Sequence, residues 1–423
     1  MNDDDTSVSR SKPAVTQRLK RDDFPHPPAD KHGGLPLTVA NVRHLLREYG
    51  VDVGWNVHKK RLTLTRQGVA ISPQELTSLG NLNGMRGLDF WDFVSCIAQA
   101  HPSNEIRDWI KSAPWDGHDR LPEIIATVTP SDGYPEGLAK NLLRRWLLSV
   151  AAAAVMAGGD IRLTLGGVLT FQGGQGIGKT TWFSNLLPSG HLRDSYQKRD
   201  HHLDPHNRDS VIVALGHLIV EIGELDGVFR RDIARLKGFL TANCDKPRLL
   251  YAKNAVEFPR TTVFGASVND DRFLVDPTGN RRFWTIAVKK LDYNHQVNLQ
   301  QLYAQLALDI ERGEQWWLTQ EEEAMLVAYN KRHLVISPIA ERLDEYVDLD
   351  AIARGEGPYL TALEVLRKLD IDRPTMGQCK EMGAALRNLI GPPKRVQGRD
   401  KWRVPANAKE YFAADAPEET EAI

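Results

Sequence analysis

Hydrophobic and polar positions alternate with different periods along the chain. Residues 1–35 show almost no apolar periodicity and are polar, charged and proline-rich (Phe24-Pro25-His26-Pro27-Pro28), the texture of a disordered arm. Val39, Val42, Leu45, Leu46 and Tyr49 then recur at helical spacing, residues 61–65 alternate as a strand does, and residues 90–100 return to helix. Residues 104–121 read as a short amphipathic helix stopped near Pro114, with a tight turn at Asp116-Gly117. A long helix rich in Leu and Ala follows over 134–158, then a buried strand at 163–171 that runs into a glycine-rich loop. Beyond it the pattern predicts a helix (179–187), a polar stretch (194–209), an apolar strand (217–222), a helix (231–242), a basic hairpin (246–258) and a strand (261–266).

Such alternation of strand and helix predicts an α/β fold built on a parallel sheet. From residue 337 the texture changes. A linking helix (338–349) precedes two compact helices (361–369 and 377–389) and a basic hairpin (394–404), a winged-helix-like order, and residues 409–423 form an acidic tail. The expected organisation is a disordered arm (1–35), a small N-terminal domain of α/β or helical character (36–130), a nucleotide-binding domain (131–335), a winged-helix-like domain (336–408) and the tail.

Composition narrows the function classes. Among 423 residues 41% are hydrophobic and 26% charged, which allows an ordinary core, and the net charge of -1 excludes a global positive field, so any nucleic-acid binding must rest on local charge. Cys96, Cys244 and Cys379 stand apart without metal-ligand spacing, which argues against a zinc site or a disulfide framework and suits a reducing cytoplasm. The longest apolar runs, such as 146–157, are too short for a bilayer, and Met-Asn-Asp-Asp-Asp is no signal peptide, so no membrane association is expected.

The chemistry concentrates at Gly173-Gly174-Gln175-Gly176-Ile177-Gly178-Lys179-Thr180, which satisfies G-x-x-x-x-G-K-[ST] at every position, with a strand before it and a helix after it. Glycines let successive N–H groups turn toward phosphate oxygens, and the helix N-terminus adds partial positive charge. Lys179 can reach the β- and γ-phosphates of ATP, the Thr180 hydroxyl can ligate magnesium, and Thr181 follows on the helix as a further nucleotide-binding candidate. A second acid is expected at the end of a neighbouring strand. Leu218-Ile219-Val220-Glu221-Ile222-Gly223-Glu224 offers Glu221 for the magnesium side and Glu224 for orienting the attacking water, with the two roles exchangeable. A third strand ends at Asn269, whose amide can sense the γ-phosphate. Arg281 and Arg282 lie between a turn and an aromatic pair, and either could serve a neighbouring subunit's γ-phosphate or form a surface ion pair.

Three runs closely resemble the virulence-associated protein E family: 219–227 (Ile-Val-Glu-Ile-Gly-Glu-Leu-Asp-Gly), 236–241 (Leu-Lys-Gly-Phe-Leu-Thr) and 276–284 (Asp-Pro-Thr-Gly-Asn-Arg-Arg-Phe-Trp). Pro114-Trp115-Asp116-Gly117 with Arg120-Leu121 is similar to its upstream signature, and the resemblance covers about 104–287. It implies a P-loop AAA+ core akin to superfamily 3 helicases and poxvirus-type primase-helicases, found in bacteriophages and mobile islands, and hence a bacterial or phage-infected cytoplasm. It also implies that Gly173, Gly178, Lys179 and Thr180 bind ATP and magnesium, that Glu221 and Glu224 are the acidic pair, that Asn269 is the sensor and that Arg281 or Arg282 is the trans-acting finger. A ring, usually a hexamer, is implied as well. The family's Gly-Thr-Thr-Asn sensor is replaced here by Gly265-Ala266-Ser267-Val268-Asn269, which leaves the sensor register open by one residue.

Two basic segments are candidate DNA contacts. In a ring of this type the hairpin before the sensor strand lines the pore, so Lys246, Arg248 and Lys253 would meet phosphates and Tyr251 would stack on a base. Lys394, Arg395, Arg399 and Lys401 of the C-terminal hairpin would grip phosphate as a wing does. The sequence therefore predicts an ATP-driven helicase or replication-initiation motor on single-stranded or forked DNA, with a primase or polymerase as a partner. The alternative is a non-translocating ATP-dependent switch that recruits replication proteins or interferes with a competing phage.

Overall fold

The computed structural model describes residues 17–28, 34–87, 89–159, 163–223, 225, 235–245, 257–275, 279–335 and 337–407. The chain divides into two units, 1–334 and 335–423.

The first unit begins with a small α/β layer. Helix α1 (Val39–Glu48) starts where Thr38, in extended conformation, accepts the Asn41 N–H, and α2 (Pro73–Leu82) starts on a Ser72–Glu75 capping box with proline in its first turn. Strands β1 (Val51–Asn56), β2 (Arg61–Arg66) and β3 (Val69–Ala70) form an antiparallel meander, and β4 (Pro102–Ser103) joins β1 in parallel, giving the order β3-β2-β1-β4. These elements and α3 (Phe90–Gln99) bury Val42, Leu45, Leu76 and Val94 in a core that also takes in Phe24 and Leu35, so the segment 1–35 is not a disordered arm throughout: its one large aromatic side chain is packed.

After α4 (Glu105–Ile110) and α5 (Leu121–Ala126) the chain enters a six-stranded sheet. Its strands are β5 (Val128–Pro130), β6 (Val168–Gln172), β7 (Gln197–His201), β8 (Ile219–Ile222), β11 (Val263–Val268) and β12 (Phe283–Leu291); the short β9 (Cys244–Asp245) and β10 (Phe258–Pro259) pair separately. The order is β5-β12-β6-β11-β8-β7, parallel throughout except for the antiparallel edge strand β5. Helix α6 (Glu136–Met156) carries its charges in the first half, and from Trp146 to Ala154 it is apolar on nearly every face and buried accordingly. Its Trp146 Nε1 donates to the Phe264 carbonyl at 2.8 Å, seating the helix on β11. Helices Leu299–Glu311 and Gln320–Asn330 pack beside α6.

Local sequence chemistry explains the departures from the expected pattern. The strand expected at 163–171 is shorter, because Gly166 and Gly167 lie beneath the Trp284 ring and precede β6. The polar stretch 194–209 contains β7, an edge strand in which Arg199 and Asp200 are exposed, so it carries no apolar alternation. The aromatic pair Phe283-Trp284 opens β12, a strand of nine residues.

The layer around β1 is tied to the strand pair β9–β10. Asp245 accepts the Arg260 Nε at 2.9 and 2.8 Å and the Arg260 Nη2 at 2.5 Å, Lys60 Nζ stands 3.5 Å away, and all three side chains are buried. Trp55 stacks on Phe258 at 5.4 Å, and Asn56 Nδ2 donates to the Tyr196 hydroxyl at 2.7 Å.

The second unit holds helices Pro338–Tyr346, Leu349–Ala353, Ala362–Lys368 and Met376–Ile390, with a sheet of β13 (Tyr359–Leu360), β14 (Lys394–Val396) and β15 (Arg399–Arg403) in the order β13-β15-β14. Capping boxes at Thr361–Glu364 and Thr375–Gln378 start two of the helices. Val365, Leu366, Met382, Leu386 and Trp402 form the core. Gln397 and Gly398 turn the β14–β15 hairpin with φ of 51° and 77°, the two left-handed residues that a tight hairpin of matching twist requires. Among the described residues no helix is long and apolar enough to cross a membrane.

Candidate functional site

Topology fixes where the sheet can hold a ligand. The chain leaves β6 for β7, returns through β8 to β11 on one flank of β6, and then takes its other flank as β12. Strand order thus reverses at β6, and in open α/β sheets such reversals open a crevice beyond the carboxyl ends of the strands. There β6 and β11 end level, Gln172 pairing with Val268, while β8 stops short of them, Ile222 pairing with Ala266.

The glycine-rich loop leaves β6 into this crevice. Gly173 is buried, and a Cβ on it would sit 2.5 Å from the Val288 carbonyl oxygen. Gly176 and Gly178 take φ of 83° and 90°, and the Tyr293 ring fills the space a side chain on Gly178 would need. Gly174, Gln175 and Gly176 are exposed, and Ile177 packs against the core as an anchor. Lys179 opens α7 (Lys179–Ser184) and donates from Nζ to the Gly173 carbonyl (2.6 Å), the Gly174 carbonyl (2.7 Å) and Asn269 Oδ1 (2.9 Å). Burial lowers the pKa of this ammonium, and the Glu221 carboxylate opposes that shift. Thr180 Oγ1 donates to Glu221 Oε1 at 3.0 Å, and Thr181 is exposed on the same turn.

Glu221 is fully buried in β8 and receives donors from three elements. Its Oε1 accepts the hydroxyls of Thr180 and Ser267, the latter at 2.6 Å, and its Oε2 accepts the Asp200 N–H at 2.6 Å. The structure therefore gathers Gly173, Gly174, Lys179, Thr180, Glu221 and Asn269 into one connected cluster. Asn269, directly after β11, is the amide that bonds Lys179, while Ser267 points to Glu221, so the strand end offers a polar contact at both positions.

Other candidates stand elsewhere. Arg281 is exposed and pairs with Glu323 at 2.9 Å, and Arg282 Nη1 donates to the Gly279 carbonyl at 3.3 Å. Neither shares a hydrogen bond with Lys179, Thr180, Glu221 or Asn269 among the described residues. Glu224, Lys246, Arg248, Tyr251 and Lys253 lie outside the described residues. Lys394, Arg395 and Arg399 are exposed and Lys401 half-buried on the β14–β15 hairpin, where Lys394 stands directly opposite Lys401.

Sequence reasoning missed two contributors. Ser267 was hidden in an apolar strand, and only the alternation of β11 toward the β8 acid could have flagged it. Asp200 sits in a strand with no apolar signature, so nothing local marked it.

Solved structures similar to this chain include an A-form apo structure of the NrS-1 C-terminal region (305–718), with 14% identity and a TM-score of 0.38 over 86% of this chain and 98% of that one. A second A-form apo structure of the same region has 16% identity and a TM-score of 0.36, and a further apo structure has 15% and 0.33, with the same shares covered. No curated protein matches the sequence. The family model described as the virulence-associated protein E-like domain matches residues 110–335, more than half of the 423. The chain belongs to the virulence-associated protein E-like family.

Proposed function

We propose that this chain is a magnesium-dependent ATPase with an AAA+-like P-loop core, acting as a ring-shaped motor in the DNA replication of a phage or mobile element. One observation carries the reading: Lys179, Thr180, Glu221 and Asn269 converge at the reversal point of a parallel sheet. The insertion of the Asn269 strand between the loop strand and the acid strand supports an AAA+-like arrangement.

Each residue has work that its present bonds prefigure. All three acceptors of the Lys179 ammonium are neutral oxygens, and a phosphate oxygen, being charged, is the stronger acceptor. Loop amides of Gly174–Gly178 would meet the remaining phosphate oxygens. Adjacent hydroxyl and carboxylate oxygens on Thr180 and Glu221 are the hard donors that magnesium takes, alongside water and phosphate. Bound there, magnesium would neutralise charge on the phosphoryl group in transfer. Asn269, already on Lys179, would exchange that bond for the γ-phosphate and so report its presence. The proximity of Glu221 to Thr180 favours Glu221 for the magnesium side and leaves Glu224 for the water. Arg281 is exposed, its pair with Glu323 is a surface pair of small worth, and it is therefore the arginine available to a neighbouring subunit.

DNA contacts would come from the basic segment expected at 246–258, most of which lies outside the described residues, and from the β14–β15 wing. Lys394 and Lys401 face each other across this hairpin, with Arg395 and Arg399 beside them, and that local positive charge supports a phosphate-gripping role. A primase or polymerase is the natural partner of such a motor.

The decisive experiment measures ATP hydrolysis with and without single-stranded DNA beside the mass of the particle. We expect magnesium-dependent hydrolysis by a multimer, stimulated by DNA, and a loss of about 100-fold or more in Lys179→Ala. A Lys179→Ala protein that hydrolyses ATP at the wild-type rate refutes the site. Hydrolysis with neither DNA stimulation nor strand displacement on a fork would instead favour the non-translocating switch.

A further inference from the structure

The parallel pairing of β7 with β8 slips between Lys198 and His201, so the edge strand bulges at Arg199 and Asp200. Bulges re-aim side chains at sheet edges and beside active sites. Asp200 takes φ of 46°, the left-handed region that non-glycine residues enter at a cost and Asp tolerates better than most.

Two contacts depend on that backbone. The Asp200 N–H donates to Glu221 Oε2 at 2.6 Å. The Asp200 carboxylate lies over Gly223, with Oδ1 occupying the space a Cβ there would need. Gly223 does not take a left-handed conformation, so glycine is required at this position for room and not for φ. The Glu221 carboxylate needs such support. Its terminal torsion is of the broad, roughly two-fold kind, so bonded partners must set its orientation. Thr180 and Ser267 both hold Oε1, whereas the bond to Oε2 comes from Asp200.

We propose that Asp200 is a positioning residue of the phosphoryl-transfer site, an inference that rests on the ATPase reading above. Its N–H pins Oε2 and so keeps Oε1 turned toward Thr180 and the magnesium position. Its carboxylate, seated on Gly223, holds the bulge in the strained backbone that aims the N–H.

The test compares Asp200→Ala, Asp200→Asn and Gly223→Ala with the wild type and Lys179→Ala, scaling every rate to folded protein. Ala at 200 loses the seat on Gly223, and Ala at 223 evicts the Asp200 carboxylate, so both release Glu221. Each should lower kcat by about tenfold or more, as loss of an orienting partner does. Each should also raise the magnesium concentration needed for half-maximal rate, while KM for ATP stays within about twofold. Asp200→Asn retains the tolerance for positive φ and the shape of the seat, and should stay near the wild type. Wild-type kcat and magnesium dependence in Asp200→Ala would overturn the inference. So would an Asp200→Asn protein as impaired as Asp200→Ala. If the rate still depends on Lys179, either result overturns the positioning role alone; if Lys179→Ala is itself fully active, the ATPase reading fails first.

Discussion

His58 shows how one side chain can make folding depend on pH. It lies between β1 and β2, fully buried, with its ring 5.8 Å from that of Tyr196 and edge-on to it. Burial, reinforced by nearby Lys60, pushes its pKa from 6.5 down to about 4. An imidazole held this way is neutral in the fold, while the unfolded chain takes up a proton near the ordinary value. Between those two values the unfolded state binds more protons, so stability rises with pH through the window and is fully present above it. The full contribution is about 3 kcal/mol. Urea midpoints of the wild type and His58→Gln at pH 7.5 and pH 5 measure it. The wild type should lose more stability on acidification, and equal losses would remove His58 as the cause. His44, His201, His217, His295 and His333 shift in the same direction, so the difference between the two proteins, and not the wild-type slope alone, isolates His58.

At the scale of elements, the β9–β10 pair is held at its root by buried charge. Asp245 is bonded by Arg260 through two nitrogens, Arg260 also lies 4.6 Å over the Phe239 ring, and Lys60 reaches across from the turn after β1. Burial lowers the Lys60 pKa to about 8 against the opposing pull of Asp245, so this ammonium is the poorly compensated member. Lys60→Met leaves Asp245 fully paired with Arg260 and should change stability by no more than about 1 kcal/mol. Arg260→Met leaves the buried carboxylate with only the more distant Lys60 and should cost about 3–5 kcal/mol. Denaturant unfolding of the two variants decides the matter, and equal losses would show that Lys60, too, is essential to the cluster. No sequence pattern announces this contact, because Lys60 and Asp245 are far apart in the chain and each looks like an ordinary surface charge. The elements that could be read locally are those whose signal is local: the apolar period of α1 and α3, the Leu- and Ala-rich run of α6, the glycine loop and the basic C-terminal hairpin. β7 could not be read, because an edge strand exposes its side chains, and β12 was masked by the turn and arginines before it. The same division holds at the site, where Lys179, Thr180, Glu221 and Asn269 each end or follow a recognisable element. Ser267 and Asp200 reach Glu221 only through sheet pairing, which a linear pattern does not encode.

For the whole molecule, the proposed ring turns on whether a site is complete within one chain. Within the protomer Arg281 points to Glu323 and shares no hydrogen bond with the Lys179 cluster among the described residues. In the proposed ring, Arg281 would meet the γ-phosphate of the adjacent copy, the arrangement that head-to-tail packing supplies at every interface. Subunit mixing tests this directly. Lys179→Ala cannot cradle phosphate but keeps Arg281, and Arg281→Ala keeps the phosphate loop but offers its neighbour nothing. Each protein alone should be nearly inactive. Mixed in equal amounts and reassembled at random, they form a working site wherever an intact Lys179 faces an intact Arg281, which is about one interface in four. Recovery toward a quarter of the wild-type rate, rising and falling with the mixing ratio, is the expected result. If Arg281 acted within its own chain, no mixture could recover activity, because every subunit would carry a broken site. If Arg281→Ala alone retained the wild-type rate, the finger role would pass to Arg282, and the same mixing experiment with Arg282→Ala would locate it.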